Sequence, residues 1–436
     1  MHVSMRDAIC GVIGLLLLSV TAFGSWTRPL VPAPAEDAVV ATVGSVDCEF
    51  TSIREAVAAV PGGSVLRLAG ESFTEGGIVL DKDLFLVGAV AGETIVQASE
   101  SLETATERVF FVETGSIVVI RDVTMRYGHP TGECPRGGGA IANYGTLWLD
   151  RCILSDNIGQ CGGALMNRDG IVSAFDCMFI HNESNGGVNM QGVSGMGSGG
   201  GIKNVKGEML LDGCTIAYNV ARKKGGGIKN CCLGTLTMIN CTVSGNSCKS
   251  GGVHLNGPAL IDHCTIAFNT APFSLGAGIL VNSRSVIRNT IVAGNTRGDV
   301  TIEMDKDGAL SEFINVWIGD GRIGLGVVAG DPLLGPLGDN GGLTWTHLLL
   351  PGSGAIDAAV ADREGPQVDQ RGLPRPSGSA PDLGAVEVDA SEGVGSCTAA
   401  ARGSGGTVAY GKAAAIGTIS TTLYSPPVSC NSPHCA

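Results

Sequence analysis

A short glycine-rich block that closes on asparagine recurs six times between residues 137 and 282. It reads GGGAIAN (137–143), CGGALMN (161–167), GGGIKN (199–204), GGGIKN (225–230), GGVHLN (251–256) and GAGILVN (276–282). The closing residues are Asn143, Asn167, Asn204, Asn230, Asn256 and Asn282, spaced 24, 37, 26, 26 and 26 residues apart. The long interval holds a glycine-rich insertion near 186–199. A second block follows each first one: RCILSDN, DCMFIHN, GCTIAYN, NCTVSGN, HCTIAFN and NTIVAGN. It ends on Asn157, Asn182, Asn219, Asn246, Asn269 and Asn295, and five of its six copies carry Cys152, Cys177, Cys214, Cys241 and Cys264. A short apolar run such as GTLWLD or GTLTMI separates the two blocks. Three short strands per repeat, with no helical period, predict an all-β chain folded as a right-handed parallel β-helix.

Stacked coils place equivalent residues above one another at the interstrand spacing of about 4.8 Å. Inward asparagines at a turn can then bond their own turn and the next asparagine, which satisfies polar groups inside the coil. The cysteines form a column of small buried hydrophobes, reduced because in-register neighbours aim their sulfurs the same way. Period-two alternation from the first-block asparagines points Ile141, Leu165, Ile202, Ile228, His254 and Leu280 inward. It points Ala142, Met166, Lys203, Lys229, Leu255 and Val281 outward.

Composition supports a large core: 44% of residues are apolar and 16% charged. Glycine is abundant, at 67 residues, but without the G-X-Y period of collagen. The net charge of −13 argues against nucleic acid and anionic membrane surfaces as partners. Residues 1–24 place Arg6 before an apolar run from Ile9 to Phe23, too short to span a bilayer and suited to a signal peptide. Ala22 and Gly24 suit cleavage before Ser25; Ala33 and Ala35 offer a second position. The expected protein is therefore exported, extracellular or at the cell surface, with no transmembrane segment in its mature chain.

The remaining regions divide as a linker (25–46), a β-helix with an N-terminal cap (47–330, clearest at 137–299), an irregular segment (331–388) and a flexible tail (389–436). Residues 51–60, TSIREAVAAV, read as a capping helix. Thr51 or Ser52 caps it, Ile53, Ala56, Val57 and Val60 form its apolar face, and Pro61-Gly62-Gly63 ends it. The apolar runs VLRL, GIVL, LFLVG, TIVQA, VFFV and SIVVI that follow read as early coils without the asparagines. Eight or nine coils are expected in all.

Three resemblances cover most of residues 47–388. Asp47 to Leu68, with SIREAVAAVPGG, resembles a divergent bacterial CSLREA-type N-terminal region, with Ile in place of Leu and the cysteine earlier, at Cys48. The repeats are similar to pectin-lyase-like β-helix repeats, including those of chlamydial polymorphic outer membrane proteins. Residues 331–388 resemble a choice-of-anchor Q segment. Asp331, Pro332, Leu333, DNGG (339–342), His347, Pro351, Gly352, Ala355, Ile356 and Asp357 carry that likeness, with Asp369, Gln370, Arg371, Gly372 and DLGAVE (382–387). The likeness implies a secreted bacterial protein, since the segment usually precedes a surface-sorting signal. The tail has no recognised sorting signal and none of the alternating strands of a translocating barrel.

Candidate chemistry is sparse. Lys203 and Lys229 fall on adjacent coils near Arg222, Lys223 and Lys224. Pectate-lyase-like enzymes, which the repeats resemble, use a basic residue as base and acidic residues for calcium on one outer face. That makes the two lysines the candidate catalytic pair, against the alternative of a solvated basic face. His254 reads as a core histidine, and Asp262 and His263 as neighbours whose side chains face apart. Asp150, Asp212 and Asp262 share one turn and could offer oxygens to calcium, in a row interrupted by Asn240, Phe175 and Ile287. Turn-forming aspartate is the commoner role, and no other metal or cofactor is expected. A disulfide between Cys134 and Cys161 fits their adjacent coils; Cys248 could pair with Cys231 or Cys232, and Cys430 with Cys435. A zinc site lacks the required paired spacing. The leading expectation is an exported structural or binding protein, with polysaccharide or cell-surface components as partners. The alternative is a polysaccharide lyase or glycoside hydrolase.

Overall fold

Most coils contribute one strand to each of three long parallel sheets, wound as a right-handed parallel β-helix. The computed structural model describes residues 26–131, 137–186, 197–272, 276–303, 311–321, 327–360 and 365–389. Sheet 1 holds strands such as Ile141–Asn143 and Ile228–Cys231, sheet 2 Thr146–Asp150 and Thr235–Ile239, and sheet 3 Ile153–Ser155 and Thr242–Ser244. Among the described residues, sheet 1 has nine strands and sheets 2 and 3 have eleven each. The stack is thus longer than the eight or nine coils expected. Val40–Val43 adds a strand within the stretch read as a linker, pairing with Ser64–Leu68. Glu312–Ile314, Val316–Ile318 and Val327–Ala329 continue the stack past residue 299. Backbone pairing needs only an apolar inward residue, so it outlasts the asparagine signature.

The helix Ile53–Ala59 closes the N-terminal end, with Ile53, Ala56 and Val57 buried in the main core. Ser52 is its N-cap, accepting from the Glu55 amide at 3.3 Å. The Glu75 carboxylate accepts from the Ile53 and Arg54 amides, and Lys82 donates to the Val57 and Val60 carbonyls. Both helix ends therefore find partners for groups the helix itself cannot satisfy.

The second-block asparagines form one unbroken ladder. Asn157, Asn182, Asn219, Asn246 and Asn269 each donate from Nδ2 to the Oδ1 of the next, at 2.9–3.0 Å, and Asn295 donates to Asp299 Oδ1 at 2.9 Å. The preceding residues bend the chain through the left-handed region, as at His181 and Tyr218. Beside this ladder Cys152, Cys177, Cys214, Cys241 and Cys264 are fully buried and free.

The first-block ladder is shorter than expected. Asn143, Asn167, Asn204 and Asn230 are fully buried and linked at 2.7–3.0 Å. Asn256 and Asn282 do not join it. The Gly225, Gly226 and Gly227 amides pair with the carbonyls of Ser250, Gly251 and Gly252. Gly252 is therefore the partner of Gly227, and Asn256 falls one residue late. Asn230 is in register with Leu255 and Val281, which enter the core, while Asn256 is exposed and partners Cys231. Asn282 instead donates to the Glu303 carboxylate. A one-residue shift reverses every side chain of a strand. Leu255 and Val281, expected outward, face inward; His254 and Leu280, expected inward, lie on the outer face.

Two further segments cover outer faces. Residues 26–39 form a strap over sheet 2, where Trp26, Val31 and Ala38 pack on Val65, Phe85, Val119, Trp148, Phe175 and Leu210. Residues 331–389 dock on sheet 3 through a row of hydroxyls. Thr215 Oγ1 donates to the Trp345 carbonyl at 2.6 Å, Thr242 Oγ1 to Gln370 Oε1 at 2.6 Å, and Thr265 Oγ1 accepts from the Ala385 amide at 3.0 Å. Ser244 Oγ lies 2.8 Å from His347 Nε2. Inside this segment the buried Arg375–Glu387 pair, at 2.9 Å, binds neighbouring backbone groups.

Candidate functional site

Sheet 1 aligns Phe111, Ala142, Met166, Lys203, Lys229, His254, Leu280 and Thr301 in one row on its outer face. Lys203 and Lys229 are direct neighbours in this row, as alternation predicts. His254 is the third member, placed there by the register shift. Sequence reasoning missed it because the terminal asparagine, not the glycine turn, was used for alignment.

Lys203 is half-buried, and its Nζ lies 3.1 Å from Cys161 Sγ. Burial lowers its pKa. Lys229 is 8% exposed, and its ammonium makes no hydrogen bond or ion pair among the described residues. Burial, with Lys224 and Lys203 nearby, pushes its ammonium down to about 8. Burial and the charges of Lys229 and Lys224 push His254 down to about 2, so its ring is neutral at physiological pH. Cys231, beside this row, is raised to about 11 by burial. The surrounding sequence is basic in an acidic chain. Residues 197–258 contain Lys203, Lys206, Arg222, Lys223, Lys224, Lys229 and Lys249 against only Glu208 and Asp212. Those two acids lie on the sheet 2 strand Glu208–Asp212.

No acidic side chain pairs with either candidate lysine among the described residues, so the expected groove beside acids is not assembled. The aspartate row proves to be Arg121, Asp150, Phe175, Asp212, Ile239, Asp262 and Arg288. Ile239 and Arg288, not Asn240 and Ile287, interrupt it. Each aspartate meets an arginine: Asp150 meets Arg121 at 2.7 Å, Asp212 meets Arg28 at 3.6 Å and Asp262 meets Arg288 at 2.9 Å. Among the described residues no three His, Cys, Asp or Glu side chains converge to hold a metal.

Asp262 and His263, expected to face apart, touch at 2.8 Å. The φ of 47° at His263 folds the turn and brings the side chains together. Both are almost fully buried, which suits a structural pair rather than a site. Cys161 is disulfide-bonded. Cys134, its expected partner, lies outside the described residues, as do Cys430 and Cys435. Cys231, Cys232 and Cys248 are free thiols, so the pairing considered for Cys248 does not form.

No family model and no curated protein matches the chain. Solved structures do match in fold. Pectate lyase Pel9A is 14% identical, covering 81% of this chain and 98% of that one, with a TM-score of 0.40. A pectin methylesterase from Aspergillus niger is 15% identical, covering 70% and 92%, with a TM-score of 0.37. A rhamnogalacturonan lyase is 11% identical, covering 64% and 87%, with a TM-score of 0.33. The chain is a parallel β-helix by its own sheet topology, and these likenesses concern the fold alone.

Proposed function

We propose that this is an exported β-helix protein that holds an acidic polysaccharide on the outer face of sheet 1. Lys203 and Lys229 pair with the carboxylates of successive sugar acids. The observation that carries this reading is Lys229, a nearly buried cation without an acidic partner in a chain of net charge −13. Leaving a buried charge unpaired is costly, which favours an anionic ligand that supplies the missing partner. Export is supported by the pattern of residues 1–24 and by the disulfide at Cys161, a bond suited to oxidising compartments. The likeness of residues 331–388 to a choice-of-anchor segment fits a cell-surface location.

A second reading is eliminative cleavage of that polysaccharide, favoured by the depressed pKa of Lys229. A neutral amine at Lys229 takes the proton beside the carboxyl group, Lys203 offsets the developing charge, and the C4–O bond breaks as water protonates the leaving oxygen.

The test uses the purified full chain with polygalacturonate, alginate and neutral glucans, with and without calcium. Retention on each glycan and formation of unsaturated products are followed together. Retention on the acidic polymers alone, lost in Lys203→Ala and Lys229→Met, is the expected result. Product formation that disappears with the same variants establishes the second reading. Equal retention on neutral glucans, or none on any polymer, overturns both. Recovery of the protein solely from the cytoplasm overturns export.

A further inference from the structure

A second feature lies at the corner between sheets 2 and 3, away from the lysine row. Here the strap, three successive coils and the 366–372 loop enclose a cavity of about 260 Å³. Trp26, Arg28, Asp176, Asp212, Asn240 and Leu343 line it. Asp176 takes a φ of 51° at the turn, and Asp212 ends the sheet 2 strand of the next coil. Arg28 reaches both carboxylates, at 2.8 Å to Asp176 and 3.6 Å to Asp212, while its guanidinium lies 4.7 Å from the centre of the Phe175 ring.

Asn240 is the group this packing leaves unfinished. It is 3% exposed, and its Nδ2 donates to the Val368 carbonyl at 2.9 Å, but its Oδ1 has no hydrogen-bond partner. A buried amide oxygen without a donor is uncommon and costs about 1–3 kcal/mol. It implies a ligand that donates hydrogen bonds. The other walls define that ligand further. Trp26, Leu343 and Val368 offer apolar surface, the last two being 59% and 45% exposed. Three carboxylates, Asp176, Asp212 and Asp369, against two arginines, Arg28 and Arg371, disfavour an anion, and the arginines paired with them disfavour a metal cation. Donating hydroxyls on a compact ring with apolar C–H faces satisfy all three constraints. The volume is just below the roughly 300 Å³ lower bound of drug-sized pockets, and suits one sugar ring.

We infer that this cavity is a binding site for a single neutral pyranose unit, with ring hydroxyls donating to Asn240 Oδ1 and Asp176 and the ring packing on Trp26. Burial, opposed by Arg28, raises Asp176 to about 6, and burial raises Asp212 to about 7. Both are therefore able to exchange roles with a hydroxyl near neutral pH. The inference does not rest on the acidic-polysaccharide reading, because the two sites occupy different faces.

The experiment is saturation-transfer NMR and calorimetric titration of the purified full chain with methyl glucoside, methyl galactoside and methyl mannoside, with glycerol as the acyclic control. At least one methyl glycoside is expected to bind with a millimolar Kd. That affinity falls about tenfold or more in both Trp26→Ala and Asn240→Leu, and is unchanged in Lys229→Met. Trp26→Ala decides the matter if Asn240→Leu loses its native circular dichroism. No binding by any of the three glycosides, binding that survives Trp26→Ala, or equal binding of glycerol overturns the proposal.

Discussion

The two asparagine ladders begin from the same logic and end differently. The second runs from Asn157 to Asn295 and terminates on Asp299. The first stops at Asn230, whose Nδ2 donates to the Gly234 and Gly257 carbonyls instead of to another side chain. Beyond it the inward positions pass to Leu255 and Val281. In the second block the asparagine, the left-handed residue before it and the turn length remain locked together. In the first, Ser250-Gly251-Gly252 replaces three glycines and separates the asparagine from its turn by one more residue. The same shift moves His254 beside Lys229. A ladder position is therefore defined by distance from the turn, and losing it redistributes chemistry between the inside and outside of the coil.

The sharpest break of this comparison is Asn219→Ala. Asn219 donates to the Phe179 carbonyl and Asn246, and accepts from the backbone and side chain of Asn182. Its loss strands several buried groups, and denaturant titration is expected to show a cost of about 3–5 kcal/mol. Lys229→Met tests the other outcome of the register shift. In the folded chain Lys229 has a pKa near 8, against 10.5 for the free side chain. The unfolded chain therefore holds the proton more tightly. The burden on stability is complete below pH 8 and fades as pH rises towards 10.5. The variant is expected to gain up to about 3 kcal/mol at pH 7 and progressively less above pH 8, measured by melts across that range.

Asp212→Asn is a smaller perturbation of the covered corner. Asp212 titrates near 7 when folded and near 3.8 when free, so the native state takes up the proton first. Its contribution is unfavourable above about pH 7 and disappears below about 3.8. The shift alone is worth about 4 kcal/mol, and loss of the ion pair with Arg28 offsets part of it, so the variant is expected to exceed the parent by about 2 kcal/mol at pH 8, with the curves converging by pH 4. The smallest effect belongs to Asn256→Ala. Asn256 is exposed and outside the ladder, so a change below about 0.5 kcal/mol is expected. A loss comparable to that of Asn219→Ala would restore Asn256 to the first ladder and refute the register described above.

Much of the architecture is legible in the chain. The spacing of Asn157 through Asn295, the cysteines five residues before most of them, and the helix after Ser52 all depend on local chemistry. The strap has no local signature, although the sheet it covers carries one. Phe85, Val119, Trp148 and Phe175 lie outward on sheet 2, where an exposed strand would alternate to polar residues. Those apolar positions imply a cover, but Trp26 and Val31 lie far away in a proline-rich stretch. Within the lysine row, neighbours on successive coils were legible. The burial of Lys229 and the arrival of His254 were not.

Sequence alone determined the coil, because its repeat length, turn residues and alternating apolar positions act over only a few bonds. Tertiary structure decided which asparagine fits which turn, which outer faces are covered, and which charges lose their solvent. Those outcomes depend on stacking between coils and on segments brought together across more than 100 residues, as Thr215 and Trp345 are. A periodic sequence permits neighbouring registers of similar local energy. Complete burial of Leu255 and Val281 selects one of them.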